Sequence, residues 1–257
     1  MKKIGITGGS GLLGKLLIKE LKKVNTQYSN FNNDITNKKH VDEWLIKNKN
    51  IEYIFHFAAY TSVTRSNVNM TKAYKVNVLG VENLINSIHK NKKKIIVFFA
   101  SSSHVYKYSK KPIKETHKLI PTSYYGKTKL LAEKKIRSST NRNFKYFIAR
   151  IFSIFHAKQK KPFLYPSIKD KLKNNKLKKI YINDANNIRD FSNAEKIVKT
   201  IIKIYKKKIT GTYNIGSGKG MMIKKFINKH VNKKVCIISN EKTNSLVANI
   251  DKLKKAL

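Results

Sequence analysis

Residues 3–23 read KIGITGGSGLLGKLLIKELKK. KIGIT is a short β-rich run, GGSG follows, and from Leu12 the apolar residues recur at helical spacing. Strand, glycine turn and helix in that order open a nucleotide-binding α/β fold. Gly8, Gly11 and Gly14 stand at GxxGxxG spacing, with Ser10 and Leu12 between them. If a pyrophosphate lies there, each glycine has a task. Gly8 makes the turn, Gly11 lets the backbone approach phosphate, and Gly14 lets the helix pack close to the strand. The helix N-terminus then faces the negative charge. The alternative is an ordinary glycine-rich turn.

Outward from this unit the pattern repeats. A strand is expected near 26–31, then a helix VDEWLIKNK (41–49) capped by Asn37, with Asp42 and Glu43 in its first turn. IEYIFHFAA (51–59) and KIIVFFA (94–100) are continuous apolar runs, as buried parallel strands are. Helices are expected at about 70–90 and 123–138, and FKYFIARIF (144–152) is the next strand. This alternation predicts an α/β fold, a Rossmann-type doubly wound parallel sheet with a small C-terminal lobe. After residue 155 the pattern loosens. AKQKKPFLYPS (157–167) reads as the crossing into the lobe, followed by a strand at 178–182, a helix at 194–205 and a strand at 211–216. The expected division is a dinucleotide-binding domain at 1–155, completed by about 190–215, and a lobe made of 156–189 and 216–257.

The 257 residues, 40% of them hydrophobic, suffice for one large core. Cys236 is the one cysteine, which excludes an internal disulfide and a cysteine metal cluster and fits a reducing compartment. No apolar run reaches the length of a membrane span, and glycines and Lys15 interrupt the N-terminus before a signal-peptide core forms. The protein is read as cytoplasmic. The formal net charge is +42. One reading is a polyanion partner, either nucleic acid or an anionic membrane surface. Compositional drift is favoured over it. Only Arg65, Arg137, Arg142, Arg150 and Arg189 are arginines, and the other 51 of the 56 basic residues are lysines spread along the chain. Nucleic-acid interfaces lean on arginine, so nucleic acid is not expected, while the charge favours small anionic substrates.

Chemistry concentrates in three places. In TSYYGKTK (122–129), helical spacing puts Tyr125 beside Lys129 and Tyr124 beside Thr128. A neighbouring ammonium lowers a phenol's pKa, so Tyr125 is expected to exchange a proton at neutral pH. ASSSHVY (100–106) directly follows the strand 94–100, at the carboxyl end where parallel sheets hold ligands. Its hydroxyls can donate to a substrate oxygen, although Ser-rich turns are common there too. Asp34 lies about twenty positions past the glycines, where an acid usually meets ribose. It stands beyond a strand ending in Tyr28, Ser29 and Asn30, so NAD or NADP stays open. His56 reads as a packed strand residue, and His104 as either catalytic or pocket-shaping. No cluster has metal spacing, and no metal is expected.

The set TGGSGLLG (7–14), HFAA (56–59), NVLG (77–80), ASSSHVY (100–106), YYGKTK (124–129) and RDF (189–191) resembles the extended short-chain dehydrogenase/reductases, the nucleotide-sugar epimerases, dehydratases and reductases. The resemblance covers nearly the whole chain. It implies that Tyr125 is the catalytic acid/base, that Lys129 is its partner and also holds the nicotinamide ribose of NAD or NADP, and that Ser102 is the catalytic hydroxyl. It implies cofactor contacts at Gly8, Ser10, Gly11, Leu12, Gly14, Asp34, Ile35, Phe57, Ala58 and Ala59. Thr61, Ser103, His104, Ser153 and Arg189 would then face the substrate, with Arg189 on its diphosphate. Helices near 70–90 and 123–138 pair subunits in many relatives, which implies a homodimer if Lys134 and Lys135 point outward.

The chain also departs from the family pattern. Ser153 stands where Asn is usual, His156 where Gly is usual, and SNAEK (192–196) replaces a Val-His-Val-Asp-Asp-like stretch. The sequence ends at NIDKLKKAL, without the usual Gly-aromatic-x-Pro turn, so a small or trimmed substrate lobe is expected. AAYTSV (58–63) and NDIT (33–36) are similar to the 4-keto reductases of deoxysugar pathways, which makes reduction of a 4-keto sugar nucleotide the expected activity. A sugar 4-epimerase with tightly held NAD is the alternative. A non-catalytic polyanion or nucleic-acid binder on the same fold is a further one.

Overall fold

The structure, a computed structural model, describes residues 3–91, 93–171, 179–182, 184–230, 236–239 and 243–257. Its first half runs β1 (Lys3–Thr7), α1 (Leu12–Lys23), β2 (Tyr28–Phe31), α2 (Lys38–Lys47), β3 (Ile51–His56), α3 (Val63–Val68), α4 (Met70–Tyr74), a π-turn (Lys75–Leu79), α5 (Gly80–Lys90), β4 (Ile95–Ser102), a 3-10 turn (Ser103–Val105), α6 (Tyr124–Ser138) and β5 (Phe144–Ile151). There follow β6 (Ser153–Phe155), α7 (Leu164–Lys171), β7 (Lys179–Tyr181), β8 (Ile188–Asn193), α8 (Ala194–Lys206), β9 (Gly211–Ile215), β10 (Gly220–Met222), α9 (Ile223–His230), β11 (Cys236–Ile238), β12 (Ser245–Leu246) and α10 (Asp251–Ala256).

Six strands form one parallel sheet in the order β2-β1-β3-β4-β5-β9. Apolar residues on α2, α5 and α6 cover one face, including Val41, Leu45, Val81, Leu84, Ile88, Ala132 and Ile136. The other face is covered by α1, α8 and α10, through residues such as Leu17, Leu21, Ile197, Ile201, Ile204 and Leu253. The sheet is therefore doubly wound. Each fully buried Ile, Leu or Phe contributes roughly 1.5–3 kcal/mol by leaving water. The strand order reverses at β1, so a crevice opens past the carboxyl ends of β1 and β3. A second sheet is organised around β8, which pairs antiparallel with β10 and parallel with β12 and β6. A two-stranded sheet joins β11 to β7. Among the described residues, no helix is long and apolar enough to cross a membrane.

Several elements differ from the sequence expectation. Asn37 does cap α2, accepting from Lys39 N and His40 N, but the helix starts at Lys38. Asp42 therefore sits in its second turn, ion-paired with Lys38 at 2.7 Å. β3 stops at His56, and Phe57, Ala58 and Ala59 lie in the loop beyond it. β4 runs on to Ser102 because β5 continues to pair with it through Ser102↔Ile151. The single helix expected at 70–90 is α4, a π-turn and α5. Pro166 does not break α7. It falls in the first turn, where a missing N–H costs no hydrogen bond. Of the strand expected at 178–182, Lys178 lies outside the described residues and β7 covers 179–181.

Candidate active site

The glycine turn is shaped by close backbone approach. Gly8 has φ +71, and a Cβ there would lie 2.5 Å from Ala58 N. A Cβ on Gly14 would meet Gly9 Cα at 2.6 Å and collide with the Gly8 carbonyl, so the helix can seat against the turn only without a side chain. Gly11 differs. It is the N-cap of α1, has no side-chain cap, and a Cβ there would meet nothing within 4 Å except Gly8 O at 3.2 Å. The first turn of α1 thus carries neither a side-chain cap nor an acid to compete for its N–H groups. This cradle fits a dinucleotide pyrophosphate. Ser10 is exposed at its tip and Leu12 begins the helix.

The neighbouring loop is fixed from below. Thr7 Oγ1 and His56 Nδ1 are hydrogen-bonded at 2.8 Å, and Phe57 N donates to Thr7 O at 3.0 Å. Asn77, in the π-turn, ties this loop to α6. Its Oδ1 accepts from Tyr60 N at 2.7 Å, and its Nδ2 donates to Thr128 Oγ1 at 2.9 Å. NVLG was legible as a motif, but this bridging role was not, because a π-turn leaves no hydrophobic period. At the end of β2, exposed Asp34 accepts from Thr36 N at 2.9 Å. Ile35 is packed into the core, where a Cβ on Gly80 would press on it.

Ser102, the last residue of β4, meets Tyr125, in the first turn of α6. Ser123 caps that helix, accepting from Gly126 N at 3.1 Å, and Gly126 lacks the side chain that would collide with the His104 carbonyl. The Ser102 hydroxyl lies near enough to the Tyr125 phenol to lower its pKa, and accepts from His104 N at 3.2 Å. The His104 ring stands edge-on to Tyr125 with centroids 6.0 Å apart. Tyr124 is half-buried and its N–H donates to Asn67. Lys129 is 1% exposed, its ammonium 4.2 Å from the centre of the Phe99 ring.

Electrostatics corrects the sequence expectation here. Burial pushes the Tyr125 phenol up to about 12, and the group that pulls it down is Ser102, not Lys129. Burial drives Lys129 itself down to about 7, opposed by Glu133 one turn further along. The reason is depth. An ammonium resting on a ring in the same apolar enclosure is itself disfavoured, so near neutral pH it keeps its proton only in part. Burial, with the Lys129 charge, takes His56 to about 3. His104 falls to about 4 through burial and the charge of Arg189.

Arg189 lies in β8, donates to the Ile188 and Asn244 carbonyls at 2.9 and 3.2 Å, and sits 5.6 Å over the Tyr108 ring. Burial lowers its pKa. Its neighbour Asp190 is fully buried and accepts from Ser217 N and Oγ, Gly218 N and Ala248 N at 2.6–3.2 Å. Ser103 is buried at the start of the 3-10 turn. Ser153 pairs with Phe191 across β6 and β8. Ser102, Tyr125, His104 and Arg189 are thus brought together, whereas Thr61 stands exposed in the loop before α3. Among the described residues, no group of three or more His, Cys, Asp or Glu side chains is placed to hold a metal ion.

A doubly wound sheet, a glycine cradle at its switch point and a Ser–Tyr pair with a lysine one turn on define an extended short-chain dehydrogenase/reductase. The family model described as GDP-mannose 4,6 dehydratase matches residues 6–256. The chain belongs to that family. The GDP-6-deoxy-D-talose 4-dehydrogenase of Aggregatibacter actinomycetemcomitans is 30% identical over 231 residues, 86% of this chain and 76% of that protein. The UDP-glucose 4-epimerase of Lactobacillus helveticus is 28% identical over 172 residues, 59% of this chain but only 52% of that protein, so the chain spans about half of it. Among solved structures, RMD from Pseudomonas aeruginosa complexed with NADPH superposes with a TM-score of 0.85 at 19% identity, covering 100% of this chain and 91% of that one.

Proposed function

We propose that this chain is an NAD(P)-dependent oxidoreductase of nucleotide sugars that reduces a 4-keto sugar nucleotide, in deoxysugar or surface-polysaccharide biosynthesis in the cytoplasm. The observation that carries the reading is the placing of Ser102, at the carboxyl end of β4, against Tyr125 in the first turn of α6, with Lys129 one turn further along that helix and the glycine cradle on the same sheet. A nicotinamide bound along that edge supplies hydride exchange with a sugar carbon. Tyr125 gives its phenolic proton to the sugar oxygen, and Ser102 donates a hydrogen bond to that oxygen as charge develops. A phenol near 12 keeps its proton at neutral pH, which suits delivery to a carbonyl oxygen. Lys129, near 7, compensates the phenolate left behind. Asp34, Phe57, Ala58 and Ala59 border the cofactor, while Ser103, His104, Ser153 and Arg189 face the substrate, Arg189 toward its diphosphate.

The test is turnover of 4-keto UDP-, GDP- and dTDP-sugars with NADPH and NADH. Tyr125→Phe should cost about 10²–10⁴-fold in rate and leave cofactor binding intact. Full turnover by Tyr125→Phe would sink the assignment. Relatives named UDP-glucose 4-epimerase favour a second reading, in which hydride returns to the same sugar. Tightly retained NAD in the purified protein would select it, and free exchange of added cofactor would select reduction. A steep salt dependence of nucleic-acid binding would instead support the polyanion reading. A homodimer is part of the proposal. Val68, Met70 and Leu131 are exposed at 84%, 51% and 42%, on α3, α4 and α6, which pack together. Light scattering tests it.

A further inference from the structure

We propose that this protein has a second anion site, outside the reaction centre, which takes a small molecule carrying two or three linked phosphates. The segment 107–118, KYSKKPIKETHK, follows the 3-10 turn after β4 and precedes α6. Five of its twelve residues are lysines, against 51 of 257 in the whole chain, a density that uniform compositional drift does not produce. Four of them, Lys107, Lys111, Lys114 and Lys118, line one cavity of about 620 Å³ together with Tyr108 and His117. Sites for small molecules run from about 300 to 1,000 Å³. Ser102, His104, Tyr125 and Arg189 are not among the lining residues. Tyr108 lines the cavity, and the Arg189 guanidinium lies 5.6 Å from the centre of its ring, so the two sites adjoin without sharing the reacting groups.

The loop is held from beneath, so its cations stand on a fixed frame. Ile113 is fully buried. Its N–H donates to Val247 O at 2.8 Å, and its carbonyl accepts from Asn249 N at 2.9 Å. Lys107 N donates to Lys118 O at 3.0 Å, which closes the two ends of the segment on each other, and Ser109 N donates to Ser245 O at 3.1 Å. The carboxylate that could neutralise the cavity is engaged elsewhere. Glu115, the one acid in the segment, accepts from Asn214 N through Oε1 at 2.9 Å. Among the described residues, no ion pair joins any of the four lining lysines to an acid. A cleft lined by one sign of charge focuses its field on what enters it. Linked phosphates carry several negative oxygens in a small volume, which matches ammonium groups arranged around one space. The site is concave and holds no arginine, which disfavours a nucleic-acid backbone.

The experiment is isothermal titration calorimetry of the purified full chain with sodium tripolyphosphate, with ATP and with orthophosphate, at an ionic strength of about 0.15 M. One tripolyphosphate should bind per chain, about tenfold or more tighter than orthophosphate. Lys111→Gln combined with Lys114→Gln should weaken it about tenfold and leave the melting temperature unchanged. Lys199→Gln combined with Lys203→Gln removes the same charge from exposed positions on α8 and should leave the affinity within about twofold. ATP binding tighter than tripolyphosphate would identify a nucleotide as the occupant, and ATP binding no tighter would identify a free oligophosphate. Equal losses in the two double variants, or many ions bound per chain, would overturn the inference by reducing it to diffuse charge. Displacement of tripolyphosphate by NADPH would overturn it as well, and so would its loss on Arg189→Ala while the Lys111/Lys114 double variant binds normally, because either result puts the anion in the reaction site. Tighter binding of a single-stranded oligonucleotide that the same lysine substitutions abolish would replace it with a nucleic-acid surface, and no detectable binding of any phosphate would end it.

Discussion

Strands β4 and β5 pair over eight residues and bury Phe98, Phe99, Phe147 and Ile148 completely, whereas β8 and β12 share two paired residues. The large sheet is held by apolar area, which its strands advertise as unbroken hydrophobic runs. The second sheet is held by polar side chains that grip backbone. Asp190 takes four donors from Ser217, Gly218 and Ala248, and Asn187 Oδ1 accepts from Asn244 N at 2.9 Å. The difference matters for chemistry. The first region places Ser102, Tyr125 and Lys129 on rigid elements, and the second brings Arg189 up to His104 through bonds that single substitutions remove. Along the carboxyl end of the large sheet runs a buried polar seam. Glu133 accepts from Arg150 at 2.7 Å and from Ser101 at 2.5 Å, Arg150 donates to Tyr106 OH at 2.8 Å, and Tyr106 donates to Asn214 at 2.7 Å.

The seam is where the contrast can be broken most forcefully. Glu133 is fully buried, and Arg150 is 1% exposed. Glu133→Ala strands that guanidinium, and breaking such a pair from one side costs about 3–5 kcal/mol. Chemical denaturation should register a loss of that size. A loss under about 1 kcal/mol would mean the seam adds little to what apolar burial already gives the large sheet.

Asp190→Ala should come next, at about 2–4 kcal/mol, because three backbone N–H groups and a hydroxyl lose a charged acceptor. Its effect should stay local. Hydrogen exchange should quicken at Ser217, Gly218 and Ala248, while NADPH binding at the far sheet persists. Loss of cofactor binding would show that the regions are not separable in this way. Ser102→Ala, on the rigid side, should do the reverse. It should leave stability nearly unchanged and cut turnover about 10²-fold, with the Tyr125 phenol titrating still higher.

How far the sequence carried follows the same contrast. The glycine turn was legible because Gly8 and Gly14 answer to backbone collisions that no other residue avoids. The alternation of apolar runs with amphipathic helices gave the parallel sheet, and helical spacing put Tyr125 beside Lys129. What failed was depth. Spacing says that an ammonium lies near a phenol but not that both are buried, so the direction of the Tyr125 shift came out reversed. Asn77 escaped because a π-turn, set by i→i+5 backbone bonds, leaves no hydrophobic period from which its side-chain bridge could be read. The short strands β6, β10 and β12 have two or three residues each, too few for any period.

The smallest expected effect tests that reversal directly. Burial gives Lys129 a folded-state value of about 7 against an ordinary 10.5. Between those values the unfolded chain holds a proton that the folded chain has released, so stability rises with pH across the window. Below about pH 7 the folded protein carries the full cost of a buried ammonium. Lys129→Met should therefore raise the melting temperature at pH 6, by about 2–4 °C for each kcal/mol relieved, and the gain should shrink steadily as pH approaches 10.5. His56, at about 3 against 6.5, adds a loss of stability as pH falls below 6.5; the Lys129 charge contributes to that shift, so the variant eases it too and the gain at pH 6 includes both. If Lys129 instead lent its charge to Tyr125, as its spacing suggested, Lys129→Met would lower the melting temperature at pH 6, and the large sheet would owe part of its rigidity to a charge pair rather than to apolar burial alone.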